Sequence, residues 1–443
     1  MDDSSFDAKQ ELVRQASRSY SSNESNSTST NGLQLPDTIT SVDEYRSLYA
    51  SSIKDPDQFW KLAANQLDWY HFPTKIKNVQ FDYRSSRGVD IKWFEDGVLN
   101  VCYNCIDRHI ERDLNIAQQI AIIFEPDVPT VASKYVTYGE LLHSVKKTAN
   151  VLKKHGITKG SHVTIYMPMV VEAVIALLAC ARIGAVHSVV FAAFSSINLA
   201  ERIADCESTI IITSDVSMRG GKCSSLKNKV DEALKYEKCR NVKTVLVFQQ
   251  NHIRPEIKSD FVQSVLNGWI NGRDFWINDE ITQVNDICEP EWMNAEDPLF
   301  ILYTSGSTGK PKGILHTTGG YLTCVNLTFK YVFNYQPGDV YMCTADIGWI
   351  TGHSYVIYGP LANRATSLIF EGTPTYPDAS RYWQIIDKYN VNIFYTAPTV
   401  IRSLMAYSTT FVTSTSRESL RILGTIGEPI NPEAWRWYHT VIE

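Results

Sequence analysis

Apolar and polar residues change their period along this chain, and the changes divide it. Up to about residue 40 no period is present. Ser17 to Asn31 reads SRSYSSNESNSTSTN, too poor in apolar residues to order a core, and residues 1–40 are expected to form a disordered polar tail. From Val42 onward, DEYRSLYASSIKDPDQFWKLAANQLDW sets Tyr, Leu, Phe and Trp at helical spacing and opens a region placed at 41–130. From Tyr138 strand-like and helix-like stretches alternate. YGELLHSVKKTANVLKKHGI reads as an amphipathic helix ending at Gly156, HVTIYMP as a strand closed by Pro168, and VVEAVIALLACARIG as a helix ending at Gly184. AVHSVVF and STIIITS read as strands around a short helix, Asn198 to Cys206. TVLVF, PLFILY, SLIFEG, RYWQIIDKYN, VNIFYTAP, TVIRSLMAY and LRILGTIGEP continue the alternation. The pattern predicts an α/β fold of parallel sheets flanked by helices over residues 131–443.

Open sheets of this kind bind ligands beyond the carboxyl ends of their strands, and the loops expected there have unusual compositions. Leu302 to His316, LYTSGSTGKPKGILH, carries three glycines, five hydroxyl residues and two lysines behind the apolar run PLFILY. Glycines allow close backbone approach, the hydroxyls of Thr304, Ser305, Ser307 and Thr308 can donate hydrogen bonds, and Lys310 and Lys312 supply positive charge. Together with Gly306 and Gly309 they form a candidate phosphate loop. It is not a Walker A loop, because Thr304 stands where the first glycine belongs and Pro311 follows Lys310 where Ser or Thr is required. A flexible connector is the competing reading. Gly427-Glu428-Pro429 after LRILGTI reads either as a plain turn or as part of a binding loop. Arg219-Gly220-Gly221-Lys222 after STIIITS reads as a basic turn, solvated by default.

YTSGSTGKPKG resembles the signature loop of the adenylate-forming superfamily, and ADIGWITGHSYVIYGP (Ala345 to Pro360), FYTAP (Phe394 to Pro398) and LGTIGEPINP (Leu423 to Pro432) resemble AMP-forming acetyl-CoA synthetases in particular. The resemblance implies the large amino-terminal domain of the adenylate-forming fold, incomplete at its carboxy-terminal end, and the activation of acetate by ATP with transfer to CoA. It implies that Thr304 to Lys312 grip the β- and γ-phosphates, and that Gly427, Glu428 and Pro429 line the adenine and ribose side. Ile350, Thr351 and Ile426 match acyl-pocket positions, with core packing as the alternative for Ile350 and Ile426. Arg219, Gly220, Gly221 and Lys222 match the segment that meets the phosphates of CoA, and Thr351 and Thr375 match other CoA-lining positions. Ile426 stands where these enzymes commonly have Val, and its extra methyl should favour acetate over propionate. Arg364 stands where they commonly have Gly. Trp349 is expected to be a packing residue, as are His187, His316 and His353. A magnesium ion is implied with ATP, but the sequence assigns no protein ligand to it.

The bulk properties narrow the partners. Lys and Arg number 42 against 48 Asp and Glu, a net charge of −6, so no general affinity for nucleic acid or anionic membrane is expected. No apolar run reaches the ~20 residues that span a bilayer. Nine scattered cysteines suit a reducing compartment. Arg14 and Arg18 would suit a transit peptide, but Asp2, Asp3, Asp7 and Glu11 spoil its acid-poor pattern, which favours a cytoplasmic over a mitochondrial address. Cys102 and Cys105 form an isolated CxxC read as packing. Relatives of the resembled family continue beyond the Gly-Glu-Pro segment into a small domain bearing the adenylation lysine, so no catalytic residue is named within the 443 residues. The chain is therefore expected to be impaired in adenylation, the alternative being a non-catalytic product that binds nucleotide or CoA. It is also expected to leave an exposed sheet edge near Gly427.

Overall fold

The computed structural model describes residues 34–86, 88–250, 259–304 and 310–442. Two large sheets organise them. Across its width the seven-stranded sheet runs Asp274–Trp276, Thr244–Phe248, Ile210–Ser214, His162–Tyr166, Val186–Val189, Pro298–Thr304, Lys312–Thr317. The six-stranded sheet runs Ile422–Thr425, Val391–Thr396, Val340–Cys343, Thr366–Phe370, Ile120–Glu125, Lys134–Thr137. Neighbouring strands are parallel except at one edge of each sheet, where Lys312–Thr317 and Lys134–Thr137 run antiparallel. The α/β architecture of helix-flanked parallel sheets is as the sequence predicts, with these two antiparallel edges as the refinement. At the opposite edge of the six-stranded sheet lies Ile422–Thr425, the strand that leads to Gly427.

Period-2 alternation distributes each strand between two cores. Ile210 and Ile212 enter a central cluster while Ile211 enters an outer one, and Leu246 and Val247 divide in the same way. In the other sheet Tyr341, Ile369 and Ile393 face the central cluster, whereas Met342, Leu368 and Phe394 face a second outer one. The central cluster therefore draws side chains from both sheets. Helix Val171–Arg182 lies within it, with every residue but Glu172 buried. Its sequence is apolar on all sides, as a helix without a solvent face requires.

Its one buried charge is compensated. Arg182 donates to both oxygens of Asp107 at 2.9 and 3.0 Å and to the Cys288 carbonyl at 2.6 Å. Helix Tyr138–Lys154 begins with a full capping box between Thr137 and Glu140. Ahead of the sheets, the helical spacing from Val42 resolves into two helices, Val42–Lys54 and Pro56–Ala64. Asp55 ends the first and caps the second, because Pro56 can only begin a helix.

Candidate active site

Loops that follow strands of one sheet lie directly against loops that follow strands of the other. After Val186–Val189 come Phe191 and Phe194, their rings edge to face at 5.5 Å. Trp349, from the loop after Val340–Cys343, packs on both at 5.3 and 5.9 Å. Contact is close enough that a Cβ on Gly348 would fall 2.9 Å from Phe191 Cα. Trp349, expected to pack, does so on these rings and still leaves 45% of its surface exposed.

The basic turn joins the same arrangement. Val216–Arg219 pairs with Lys222–Ser225 as a hairpin beyond Ile210–Ser214. Arg219 is exposed, and its guanidinium lies 5.3 Å from the centre of the Phe191 ring. Gly220 and Gly221 sit against Thr373 and Tyr376 in the loop after Thr366–Phe370, which also carries half-buried Thr375. The amides of both glycines bond Asp127, a residue just past Ile120–Glu125. Asp346 shares this region. Its carboxylate accepts the Gly348 N–H at 2.7 Å. Burial pushes its pKa up to about 6, against the opposing pull of that bond and of the Arg219 charge.

Ile350 and Thr351 begin the short helix next to Trp349, with Ile350 43% exposed and Thr351 half-buried. The chain continues into a π-helical stretch, His353–Tyr358, a geometry often found near functional sites. Ile426 is partly buried against the central core and donates its N–H to the Thr396 carbonyl at 3.1 Å. Beside it the hydroxyls of Thr344 and Thr396 are 2.6 Å apart. Gly427 takes φ +96°, Glu428 pairs with Arg402 at 2.6 Å, and Pro429 is exposed.

Thr304 ends its strand exposed and is paired in register with Lys312, while Lys310 and Lys312 also face solvent. Ser305, Gly306, Ser307, Thr308 and Gly309 lie outside the described residues. The base of that loop is tied back into the site. Tyr303 donates to Asp205 at 2.8 Å, and the Arg202 guanidinium lies over both Tyr303 and Phe194. A continuous run of rings and cations thus leads from Arg219 through Phe191, Phe194 and Arg202 to Tyr303. The structure brings together the Arg219 turn, the loop of Thr375, Trp349 to Thr351 and the base of the 304–312 loop. Glu428 is tied instead to Arg402.

Sequence reasoning missed Asp127, Phe191, Phe194 and Asp346. The two phenylalanines were within reach, since Phe191 ends the predicted strand AVHSVVF and Phe194 lies three residues beyond it. The histidines pack as expected. His187 and His353 stack at 5.6 Å within a group of rings that includes Phe300 and Tyr358. Burial lowers the pKa of His353 to about 3 and that of His187 well below its usual value, so neither is charged at neutral pH. Cys102 and Cys105 are buried in one short helix, and burial pushes Cys102 up to about 12, so it is no thiolate.

Comparison with known proteins adds the following. A sequence model described as AMP-binding enzyme matches residues 117–443, and one described as acetyl-coenzyme A synthetase N-terminus matches residues 45–105. An acetyl-coenzyme A synthetase of Parvibaculum lavamentivorans is 56% identical over 404 residues, 91% of this chain and 59% of the relative. One of Bartonella bacilliformis is 54% identical over 402 residues, 90% of this chain and 59% of the relative. One of Brucella anthropi is 54% identical over 398 residues, 90% and 58% respectively. The chain thus spans less than two thirds of the length of these curated relatives.

Proposed function

The chain belongs to the AMP-binding enzyme family, and from that premise we propose that the protein is an acetate-CoA ligase that forms AMP. An acetate oxygen attacks the α-phosphorus of ATP and the bond to pyrophosphate breaks, leaving acetyl-AMP. The thiol of CoA then attacks the acetyl carbonyl, loses its proton, and AMP departs. Both steps depend mainly on placement and on meeting negative charge. In this reading Thr304, Lys310 and Lys312 meet the β- and γ-phosphates from the strand end. Ile350, Thr351 and Ile426 border the acyl group, and Gly427 to Pro429 the nucleoside. Arg219 and Lys222 meet the phosphates of CoA, with Thr375 nearby.

The observation that carries this reading is the exposed Arg219 turn, set on an aromatic face where loops of both sheets meet. It offers paired cations and a ring surface, which is what a nucleotide-bearing thiol carrier needs. The relatives are acetyl-coenzyme A synthetases, and their substrate is taken over in this reading. Magnesium ordinarily enters with the polyphosphate, bound by phosphate oxygens and one or two carboxylates. Among the described residues no group of three Asp, Glu, His or Cys side chains is placed to hold an ion, so no protein ligand is assigned to it. The nine scattered cysteines suit a reducing, cytoplasmic setting. Among the described residues no helix is long and apolar enough to cross a membrane.

The test is acid-dependent exchange of labelled pyrophosphate into ATP. It is run on the 443-residue chain and on the same chain extended with the carboxy-terminal part of a relative. Exchange is expected with acetate in the extended form, and to a smaller extent with propionate. If neither form exchanges with any short acid, the reading falls.

A further inference from the structure

The Arg219–Lys222 turn has the backbone of an anion receptor, and the anion it holds belongs to this chain. Gly220 and Gly221 both take positive φ, +60° and +72°, which glycine alone adopts without strain. Their successive N–H groups converge on one point, a geometry that elsewhere receives a phosphate oxygen. Here both are taken. Gly220 donates to Asp127 Oδ1 and Gly221 to Asp127 Oδ2, each at 2.7 Å. Asp127 is fully buried, and its own N–H donates to the Glu371 carboxylate at 3.3 Å. The neighbourhood is tight: a Cβ on Gly372 would fall 2.5 Å from Asp127 Oδ1, and one on Gly221 would strike the Tyr376 ring. The hairpin springs from the seven-stranded sheet, whereas Asp127 follows a strand of the six-stranded one.

We infer that Asp127 is a positioning residue for the polyanion site. It pins the turn to the end of the six-stranded sheet through two charge-assisted bonds, aims Arg219 and Lys222, and leaves anion recognition to those two side chains because the amides are occupied. The inference rests on the reading of this turn as the contact for CoA phosphates. Attraction cannot be the purpose of Asp127, since its charge repels phosphate. Its contribution is geometry.

The experiment is calorimetric titration of the 443-residue chain with CoA and, separately, with ATP, for the wild type, Asp127→Ala, Asp127→Asn and Arg219→Ala. Asp127→Ala is expected to weaken CoA binding by about 10–100-fold, by analogy with the loss seen when a group that orients a metal ligand is removed. Asp127→Asn keeps the volume and one acceptor and should fall between Ala and wild type, with ATP affinity within about twofold throughout. If Arg219→Ala binds CoA like wild type, the reading of the turn is wrong and the inference falls with it. If Arg219→Ala weakens CoA but the Asp127 variants do not, the reading stands and the inference is overturned. Equal weakening of CoA and ATP would make Asp127 merely structural. Should the variants fail to fold, hydrogen exchange on the wild type decides. The Gly220 and Gly221 amides are expected to be protected without ligand and unchanged by CoA, and free exchange, or new protection on adding CoA, overturns the proposal.

Discussion

Arg364 has φ +56°, in the left-handed region, at the turn between helix Gly359–Ala362 and strand Thr366–Phe370. A side chain there costs ~1–2 kcal/mol, and glycine returns ~0.5–1 of that through the freedom of its unfolded chain. Arg364→Gly is therefore expected to stabilise the protein by about 0.5–1 kcal/mol, read as a higher urea midpoint. The same position was flagged by the resemblance as one where glycine is usual, and the backbone supplies the reason. Asp346 carries a second residue-scale prediction. Its folded pKa of about 6 exceeds the ordinary 3.8, so the folded state holds its proton more tightly than the unfolded chain. Stability is lost as pH rises from about 4 to about 6 and the loss is complete above that. Asp346→Asn, which keeps the acceptor for Gly348, should melt progressively higher than wild type across that window and then hold a constant gap. A gap that does not change with pH would show an ordinary carboxyl. Neither Asp346 nor Asp127 could be read as part of the site from sequence, because acids in loops are common: Asp346 accepts a local bond from Gly348, and Asp127 meets glycines 93 and 94 positions later.

At the scale of elements, legibility followed burial. Strands with an apolar run between turn residues, such as His162–Tyr166 and Val391–Thr396, were readable. Lys312–Thr317 was not, since it is largely exposed, shows no alternation, and lies at the sheet edge beside Pro298–Thr304. Ile120–Glu125 is an apolar run too, but it follows Leu114 to Gln119 with no Gly or Pro to mark its start. Val340–Cys343 is only four residues long. Helix Val171–Arg182 was plain in sequence, but the device that closes it was not. Asn100 Nδ2 reaches the carbonyls of Ala181 and Arg182 at 3.0 and 3.2 Å, and Asp107 pairs with Arg182. Removing Asp107 strands a guanidinium that is 1% exposed. Asp107→Ala should cost about 3–5 kcal/mol, measured by denaturant unfolding, whereas Arg182→Met with Asp107→Leu should cost far less because no charge is left buried.

For the whole molecule, the two matched sequence models divide the chain between residues 105 and 117, but the packing does not. Arg108 donates to the Ala362 carbonyl at 2.6 Å, and Asn100 also reaches that of Glu291 at 2.7 Å. The central core takes Leu99, Cys102 and Ile106 together with residues of both sheets. A chain starting at Leu114 should consequently be insoluble or bind a hydrophobic dye strongly, and a soluble, dye-negative product of full helix content would contradict this. The sequence announced parallel sheets but not that there are two, since that depends on which distant strands pair. The amides of Gly220 and Gly221, satisfied from within, carry a consequence of another kind. What the turn captures is chosen by Arg219 and Lys222, while where it captures is held by backbone and Asp127. A single substitution at Arg219 or Lys222 can therefore change what is captured without moving the place of capture.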